Sequence, residues 1–163
     1  MNEFTLSENK GQYVVKGSVS ADDIVLMAKQ ILNQRFAKGK PITDVSESIS
    51  FLALKLAHYE YEVFSVLFLD NRHKFISYEE LFRGSIDGAS IYPREVVKRA
   101  LSLNAAAVIF AHNHPSGEAD PSQSDKHITQ RLINALNLVD IRVLDHIIIG
   151  GTDNVSMAER GLI

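Results

Sequence analysis

The 163-residue sequence contains no cysteine. Disulfide bonds are therefore excluded, and so are the cysteine-rich ligand sets that structural zinc sites usually use. The sequence also lacks any apolar run that approaches the roughly 18 residues expected of a membrane span. Its first five residues lack the basic and apolar regions that are typical of a signal peptide. We therefore expect a cytoplasmic protein.

A strong net charge of either sign is also missing. Lysine and arginine total 17 against 20 acidic residues, which gives a formal net charge of −3. Domains dedicated to nucleic-acid binding are usually strongly basic, so this balance argues against that class. The one basic cluster, Arg94, Lys98 and Arg99, is predicted to lie on the solvated face of a helix. The length and the apolar content of 45% predict one globular domain with a hydrophobic core.

Hydrophobic periodicity predicts a mixture of helices and strands. Helices are expected to begin near Ser20, Thr43, Pro93 and Gln123, and the first of them should span residues 20–35. Strands are expected over residues 63–69, 75–82, 86–91, 105–111, 141–149 and 155–157. This order predicts an α/β or α+β fold in which helices cover a sheet. Residues 1–43 are interpreted as an N-terminal extension and residues 44–163 as the main domain.

Each of the last three helices has a predicted inward face at helical spacing. These faces comprise Val45, Ile49, Leu52 and Leu56; then Val97, Ala100 and Leu101; and finally Ile128, Leu132, Ala135 and Leu136.

The most informative feature is a group of polar residues that follows the predicted strand 105–111. His112, His114, Ser122 and Asp125 lie within fourteen residues. In an extended chain, residues two apart project to the same side, so both imidazoles can reach one ion. The turn that contains Pro115 can bring the first turn of the next helix, with Asp125, back to the histidines. Two imidazole nitrogens and one carboxylate oxygen leave the fourth position of a tetrahedral zinc open for water, as in catalytic sites.

Simpler interpretations exist for each part of this pattern. Ser122 and Asp125 match a variant capping box at a helix start, and capping and metal binding are compatible. Paired histidines at a strand end can also hydrogen-bond only to their neighbours. The consecutive His-Asn-His does not match HNH nucleases, which spread these residues over a ββα unit. A zinc nucleobase deaminase would need cysteines that are absent.

The remaining histidines are predicted to lie away from the metal or behind its ligands. His58 and His73 are expected at an exposed helix end and turn, and His127 should point elsewhere on its helix. His146 lies among apolar strand residues and is interpreted as a core residue that supports the site. Asn113, between the two proposed ligands, is the other candidate for a supporting residue.

In these residues the chain strongly resembles the JAMM (MPN+) metalloprotein motif, Glu…His-x-His-x7-Ser-x-x-Asp. More narrowly, it is similar to the JAB domain of the bacterial RadC family from about residue 44 onward. The similarity rests on the segments Phe68-Leu69-Asp70, Leu81-Phe82-x-Gly84, Pro93-Arg94-Glu95, Asn104-Ala105-Ala106, His112-Asn113-His114-Pro115-Ser116-Gly117, Pro121-Ser122-x-x-Asp125 and Leu144-Asp145-His146-Ile147-Ile148.

The resemblance implies a curved, mixed β-sheet packed against helices, related to the deaminase-like architecture. It also implies that His112, His114 and Asp125 are ligands of one Zn2+ with a bound water. Ser122 matches the serine that supports the oxyanion or the bound water. Glu62 stands where the family has its general base, although the residues alone leave Glu60 and Glu95 as alternatives.

Three functions compete at this point. The resemblance favours a zinc-dependent hydrolase that acts on peptide or isopeptide bonds of a protein or peptide substrate. The alternatives are a DNA repair or recombination accessory factor and a metal-stabilised scaffold without catalysis. Longer RadC proteins carry a helix-hairpin-helix module, and residues 1–43 show no glycine-rich hairpin pair of that kind. An exposed sheet edge could pair with a second copy of the chain, giving a homo-oligomer, or with an extended substrate.

Overall fold

The computed structural model describes residues 4–7, 12–84 and 91–163. The chain divides into two compact units, Met1–Arg35 and Phe36–Ile163. The first unit contains a short antiparallel pair of strands and one helix: β1 (Phe4–Leu6), β2 (Tyr13–Val15) and α1 (Ala21–Arg35). None of the α1 residues is buried.

Ser20 starts α1, as the sequence predicts. The hydroxyl oxygen of Ser20 accepts a hydrogen bond from the Asp23 backbone N–H at 3.2 Å, and the Asp23 carboxylate accepts one from the Ser20 backbone N–H at 3.0 Å. This reciprocal pair satisfies backbone donors that would otherwise lack a partner in the first turn.

The second unit contains a mixed sheet and the other three helices of the described residues. Its elements are α2 (Val45–Leu56), β3 (Val63–Leu69), β4 (Phe75–Arg83), α3 (Pro93–Ser102), β5 (Ala107–Asn113), α4 (Gln123–Asn137), β6 (Arg142–Gly150) and β7 (Asp153–Ser156). The strand order is β4-β3-β5-β6-β7. β5 and β6 are parallel and joined through α4, whereas the other neighbours are antiparallel. The predicted mixed α/β class is confirmed.

Helices cover both faces of the sheet, which explains why β3 and β5 are buried throughout and mostly apolar. On one face, α3 and α4 pack against alternate residues of the two strands. That core contains Phe64, Val66, Phe68, Val96, Ala100, Val108, Phe110, Ile128, Leu132 and Leu136. On the other face, α2 contacts β5 and β6. Because His112 pairs with Phe64 in the sheet, it lies at the edge of the core beneath α4.

The strand predictions hold with small shifts in their ends. β3 has the predicted bounds, and β4 extends one residue further, to Arg83. β5 begins and ends two residues later than predicted, and therefore includes His112 and Asn113. The strand predicted over residues 86–91 lies outside the described residues except for Ile91, which is not in a strand.

Two predicted helix faces are only partly correct: Leu52 and Leu56 of α2 and Ala100 of α3 are buried as predicted, but other members of each face are not. α2 is capped by Asp44, not Thr43, because the Asp44 carboxylate accepts a hydrogen bond from the Ser46 N–H at 2.9 Å. Its buried residues are Ser48, Phe51, Leu52 and Leu56, while the predicted Val45 is exposed and Ile49 only half-buried. In α3, Val96 is buried and Leu101 is 54% exposed.

Both errors have one physical cause: apolar residues at neighbouring helical positions offered two possible faces, and packing on the sheet selected one. In α4, Ile128, Leu132 and Leu136 are buried as predicted, and Ala135 is half-buried. Among the described residues, no helix has the length and apolar character needed to span a membrane.

Candidate metal centre

The proposed ligands come together where β5, the following loop and α4 meet. β5 ends at Asn113, and the His114 N–H donates to the Ile149 carbonyl of β6 at 2.8 Å. The chain then turns and enters α4 at its cap, Ser122. This path places Asp125, in the first helical turn, against the two histidines, as the sequence predicts.

The three side chains form a compact, mostly buried cluster. Nε2 of His112 lies 2.9 Å from Nε2 of His114 and 3.2 Å from Oδ1 of Asp125. Nε2 of His114 lies 3.5 Å from Oδ2 of Asp125. Ligands held 2.0–2.1 Å from a tetrahedral zinc are about 3.3 Å apart, so these separations fit that ion. The side chain of His114 is 15% exposed, which leaves the cluster open on that side.

The hydrogen bond behind His114 determines which of its nitrogens can bind a cation. Nδ1 of His114 lies 2.6 Å from the backbone carbonyl of Glu118. A carbonyl oxygen only accepts hydrogen bonds, so Nδ1 carries the proton and donates it. In the neutral ring, Nε2 then presents a lone pair to the cluster.

A buried chain of hydrogen bonds gives His112 the same tautomer. The Thr129 hydroxyl donates to the Asp125 backbone carbonyl, so its oxygen accepts from Nδ1 of His146. Nε2 of His146 must then accept from Nδ1 of His112, which lies 2.8 Å away. Nε2 of His112 therefore also carries a lone pair. Partners of this kind fix the orientation of histidine ligands in metal sites.

Asp125 completes a set of three electron-rich atoms. Its Oδ2 accepts hydrogen bonds from the Ser122 N–H and hydroxyl, both at 2.7 Å. Its Oδ1 is buried and has no hydrogen-bond partner. Two imidazole lone pairs and an orphaned carboxylate oxygen thus converge without a donor among them. A cation would satisfy all three atoms, so the residues fit a divalent metal ion.

The pKa values of the cluster also favour the binding of a cation. Burial alone would raise the pKa of Asp125, yet protons on the imidazoles of His112 and His114, standing where a cation would stand, hold it well below its usual range. The pKa of His114 is raised, chiefly by its contact with Asp125. The pKa of His146 is lowered well below its usual value, mainly by burial, which keeps that ring neutral. The cluster therefore keeps its carboxylate ionised and attracts positive charge.

Glu62 lies beside this cluster, just before β3. The β3–β5 pairing ends with Phe64 opposite His112, two residues after Glu62 and two residues before His114. Consistent with this placement, the charge of Glu62 contributes to the raised pKa of His114. The alternative Glu95 lies on α3 and pairs with Arg94 at 3.0 Å. Glu60 is exposed, two residues before Glu62.

Ser122 acts as the cap of α4. Its hydroxyl oxygen accepts from the Asp125 N–H at 3.1 Å, and its proton goes to Oδ2 of Asp125. Capping and ligand placement therefore coexist in the same two residues. The suggested contact of Ser122 with an oxyanion stays a prediction, because it requires this hydroxyl proton to change its acceptor.

The other histidines lie mostly where they were expected. His58 and His127 are exposed. His146 is completely buried and contacts His112. His73 is half-buried rather than exposed, because it occupies a tight turn with φ of 56° and its Nε2 lies 3.2 Å from the Arg142 guanidinium.

Sequence reasoning missed three residues that shape the cluster. Thr129 is buried one helical turn after Asp125, a spacing that could have marked it as a partner. Glu118 contributes only its backbone, for which the sequence carries no signal. At Gly150 an added Cβ would lie 2.6 Å from the Ala119 nitrogen and 2.8 Å from the Gly117 carbonyl. A glycine at the end of an apolar strand is a known sign of such close approach.

A polar pocket adjoins the loop that supports His114. It has a volume of about 540 Å3, and its lining includes Glu118, Asp120, Asn154 and Arg160. Its lining does not include His112, His114 or Asp125.

Comparison with known proteins identifies the family. The RadC-like JAB domain family matches residues 42–162. The chain belongs to this family. A UPF0758 protein of Vibrio cholerae is 59% identical over 134 residues, covering 82% of this chain and 84% of the relative. A second UPF0758 protein of Vibrio cholerae is 47% identical over 156 residues, covering 96% of this chain and 99% of the relative.

Some relatives of this RadC-like JAB domain are considerably longer. A UPF0758 protein of Marinobacter nauticus is 57% identical over 137 residues, which cover 84% of this chain but only 61% of the relative. The chain therefore spans about three fifths of that protein.

Proposed function

We propose that this RadC-like JAB domain is a zinc-dependent hydrolase of peptide or isopeptide bonds, with Glu62 as its general base. The observation that carries the proposal is the convergence of two imidazole nitrogens and an orphaned buried carboxylate oxygen, beside a second carboxylate. His112, His114 and Asp125 would hold the ion. The open side at His114 is where a substrate carbonyl and a water would enter.

The chain's own residues have separate tasks in this proposal. A bound divalent zinc would polarise the scissile carbonyl and make water acidic enough to ionise near neutral pH. Glu62 would accept the proton of the attacking water and later deliver it to the leaving amine. The Ser122 hydroxyl would turn from Asp125 to the developing oxyanion, where one such donor typically contributes about 3 kcal/mol. His146 and Thr129 would keep His112 in the tautomer that binds metal.

Metal analysis of the purified protein is the first test. The wild-type chain should bind one zinc per molecule, and Asp125→Ala should bind none after dialysis against a mild chelator. Glu60→Gln serves as the control for the loss of one nearby carboxylate and should bind zinc normally. A wild-type chain that cannot be loaded with zinc would remove the basis of the hydrolase proposal.

Turnover is the second test. A library of internally quenched peptides and isopeptide-linked conjugates should contain a substrate that the wild-type chain and Glu60→Gln cleave at similar rates. Glu62→Gln should retain zinc but lose cleavage, because an amide cannot accept the proton. Equal cleavage by Glu62→Gln would show that another residue is the base.

The two alternatives predict different outcomes of the same experiments. A metal-stabilised scaffold would bind zinc and lose thermal stability without it, but no library member would be cleaved. A DNA-binding accessory factor would bind duplex or single-stranded DNA in a strongly salt-dependent way. The structure offers little support for that factor, since Arg99 is paired with Glu79 and Arg94 with Glu95.

A further inference from the structure

Asn113 connects the strand of metal ligands to the segment that carries Glu62. Its side chain is directed away from those of His112 and His114, as alternation along a strand requires, and it is 2% exposed. The backbone of Asn113 is held in the β5–β6 ladder opposite Ile149. Its carboxamide, in contrast, bonds to the chain before β3.

Three hydrogen bonds define this contact. Oδ1 of Asn113 accepts from the Val63 backbone N–H at 2.8 Å. Nδ2 donates to the Tyr61 carbonyl at 2.9 Å and, more weakly, to the Tyr59 carbonyl at 3.4 Å. Both peptide groups that flank Glu62 are therefore bonded to one carboxamide, which leaves the Glu62 backbone little freedom to move relative to β5.

The contact lies where the regular sheet bonds stop. The last residue pair between β3 and β5 is Phe64 with His112, and His114 already bonds to β6. A gap in the pairing of the two strands thus lies beside the metal ligands. The Asn113 carboxamide spans this gap, with an acceptor and a donor that replace the backbone partners of the missing ladder.

We infer that Asn113 is a positioning residue that sets the place of the Glu62 carboxylate relative to the metal ligands. The inference rests on the proposed function in that Glu62 is taken as the base. Asn113 sits between two ligands in the chain, so one rigid strand end fixes both the ligands and the base. Aspartate could not substitute, because its carboxylate would face the Tyr59 and Tyr61 carbonyl oxygens without a donor.

The experiment compares Asn113→Ala with Ser65→Ala, each in the full chain. Ser65 is a matched control, because it is also buried in the sheet and its hydroxyl bonds across the same strand pair, to the Ala111 carbonyl at 3.2 Å. Asn113→Thr is the second variant, since threonine suits a strand but cannot span both peptide groups. If Asn113→Ala does not fold, all measurements are made on Asn113→Thr.

The first readouts need no turnover. In the metal-free protein, hydrogen exchange of the amides from Tyr59 to Val63 should be faster in Asn113→Ala and unchanged in Ser65→Ala. Zinc affinity should stay within about threefold of wild type, whereas removing a partner of a ligand typically costs 10- to 100-fold. In Co2+-loaded protein, the visible absorption should change with pH, and Glu62→Gln should shift the midpoint of that change. Asn113→Ala should shift the same midpoint in the same direction.

Turnover then tests the connection to the base. Asn113→Ala should lower kcat by about 10²-fold, the effect expected when a catalytic group is displaced by about 1 Å, with little change in KM. In a Glu62→Gln background, Asn113→Ala should not lower kcat further, because the carboxylate that Asn113 positions is already absent. Asn113→Ala with normal exchange and a wild-type cobalt midpoint would overturn the inference. Hydrogen exchange and the pH midpoint of the cobalt absorption could change as stated while the wild-type chain cleaves no substrate. In that case the positioning inference stands and the hydrolase proposal fails.

Discussion

The backbone carbonyl of Glu118 accepts the Nδ1 proton of His114 at 2.6 Å. This bond links the more exposed of the two histidines to the loop that carries the chain from β5 to α4. The loop therefore has two effects: it returns Asp125 to the histidines, and it orients one of them. Its position depends in turn on how closely it can approach the end of β6.

Gly150 permits that approach, and replacing it should weaken the metal centre. In Gly150→Ala, the new Cβ would lie 2.6 Å from the Ala119 backbone nitrogen, so the loop must shift. We expect a destabilisation of about 1–3 kcal/mol, as is typical of overpacking. Zinc affinity should fall by about tenfold or more, because the partner of His114 moves. Chemical denaturation and chelator competition measure the two effects.

Gly39→Ala provides the control for this substitution. Gly39 has φ of 83° and nothing within 4 Å of an added Cβ, so alanine there introduces backbone strain without steric contact. Gly39 bonds to Phe75 at the start of β4, at the other end of the sheet from His112. This variant should lose stability but keep its zinc affinity. Equal zinc affinity in both variants would show that the loop is not needed to orient His114.

The pair of Glu79 and Arg99 predicts a pH dependence of stability. The guanidinium of Arg99 donates two hydrogen bonds to the Glu79 carboxylate and lowers its pKa. A carboxyl group with a lowered folded-state pKa contributes stability above its unfolded value of about 4.3, and the contribution is lost as the pH falls further. Glu79→Gln should therefore be slightly less stable than wild type at pH 7 and should match it near pH 3.

Urea denaturation across this pH range tests the prediction, with Glu60→Gln as the control for loss of one negative charge. The same variants report on nucleic-acid binding. If Arg99 contacted phosphates, releasing it from Glu79 should strengthen DNA binding at low salt, and Glu60→Gln should not. A difference between Glu79→Gln and wild type that persists unchanged at pH 3 would contradict the ion-pair explanation.

The sequence predicts a part of the fold correctly where only one arrangement would bury the apolar residues of that segment. β3 is apolar at almost every position because helices cover both of its faces, and both of its bounds were predicted correctly. The helix faces of α2 and α3 were only partly predictable, since the exposed Val45 and Leu101 are as apolar as Phe51 and Val96, which packing selected. The pattern of apolar residues in a helix is compatible with several buried faces, and packing against the sheet determines which face is buried.

The proximity of the proposed ligands was predictable for a similar reason, because they lie close together along the chain. His112, His114 and Asp125 lie within one strand–turn–helix segment, so spacing and capping chemistry place them together. The contacts of Asn113 with Tyr61 and Val63 cross about fifty residues of sequence. Nothing local shows which strand will lie beside β5, so those contacts became visible only with the sheet order.

The buried chain from His112 through His146 to Thr129 yields the last prediction. His146→Phe should keep the fold, because a phenyl ring can occupy much of the space between Phe64 and Phe110, which both contact the imidazole. Nδ1 of His112 would then lose its acceptor, and the ring would no longer be held in the tautomer that presents Nε2. Zinc affinity should fall by about 10- to 100-fold. His127→Phe, an exposed histidine on the neighbouring helix, should change neither affinity nor stability. Chelator competition on both variants separates the possibilities, since a scaffold role for His146 predicts lower stability in His146→Phe with unaltered zinc binding.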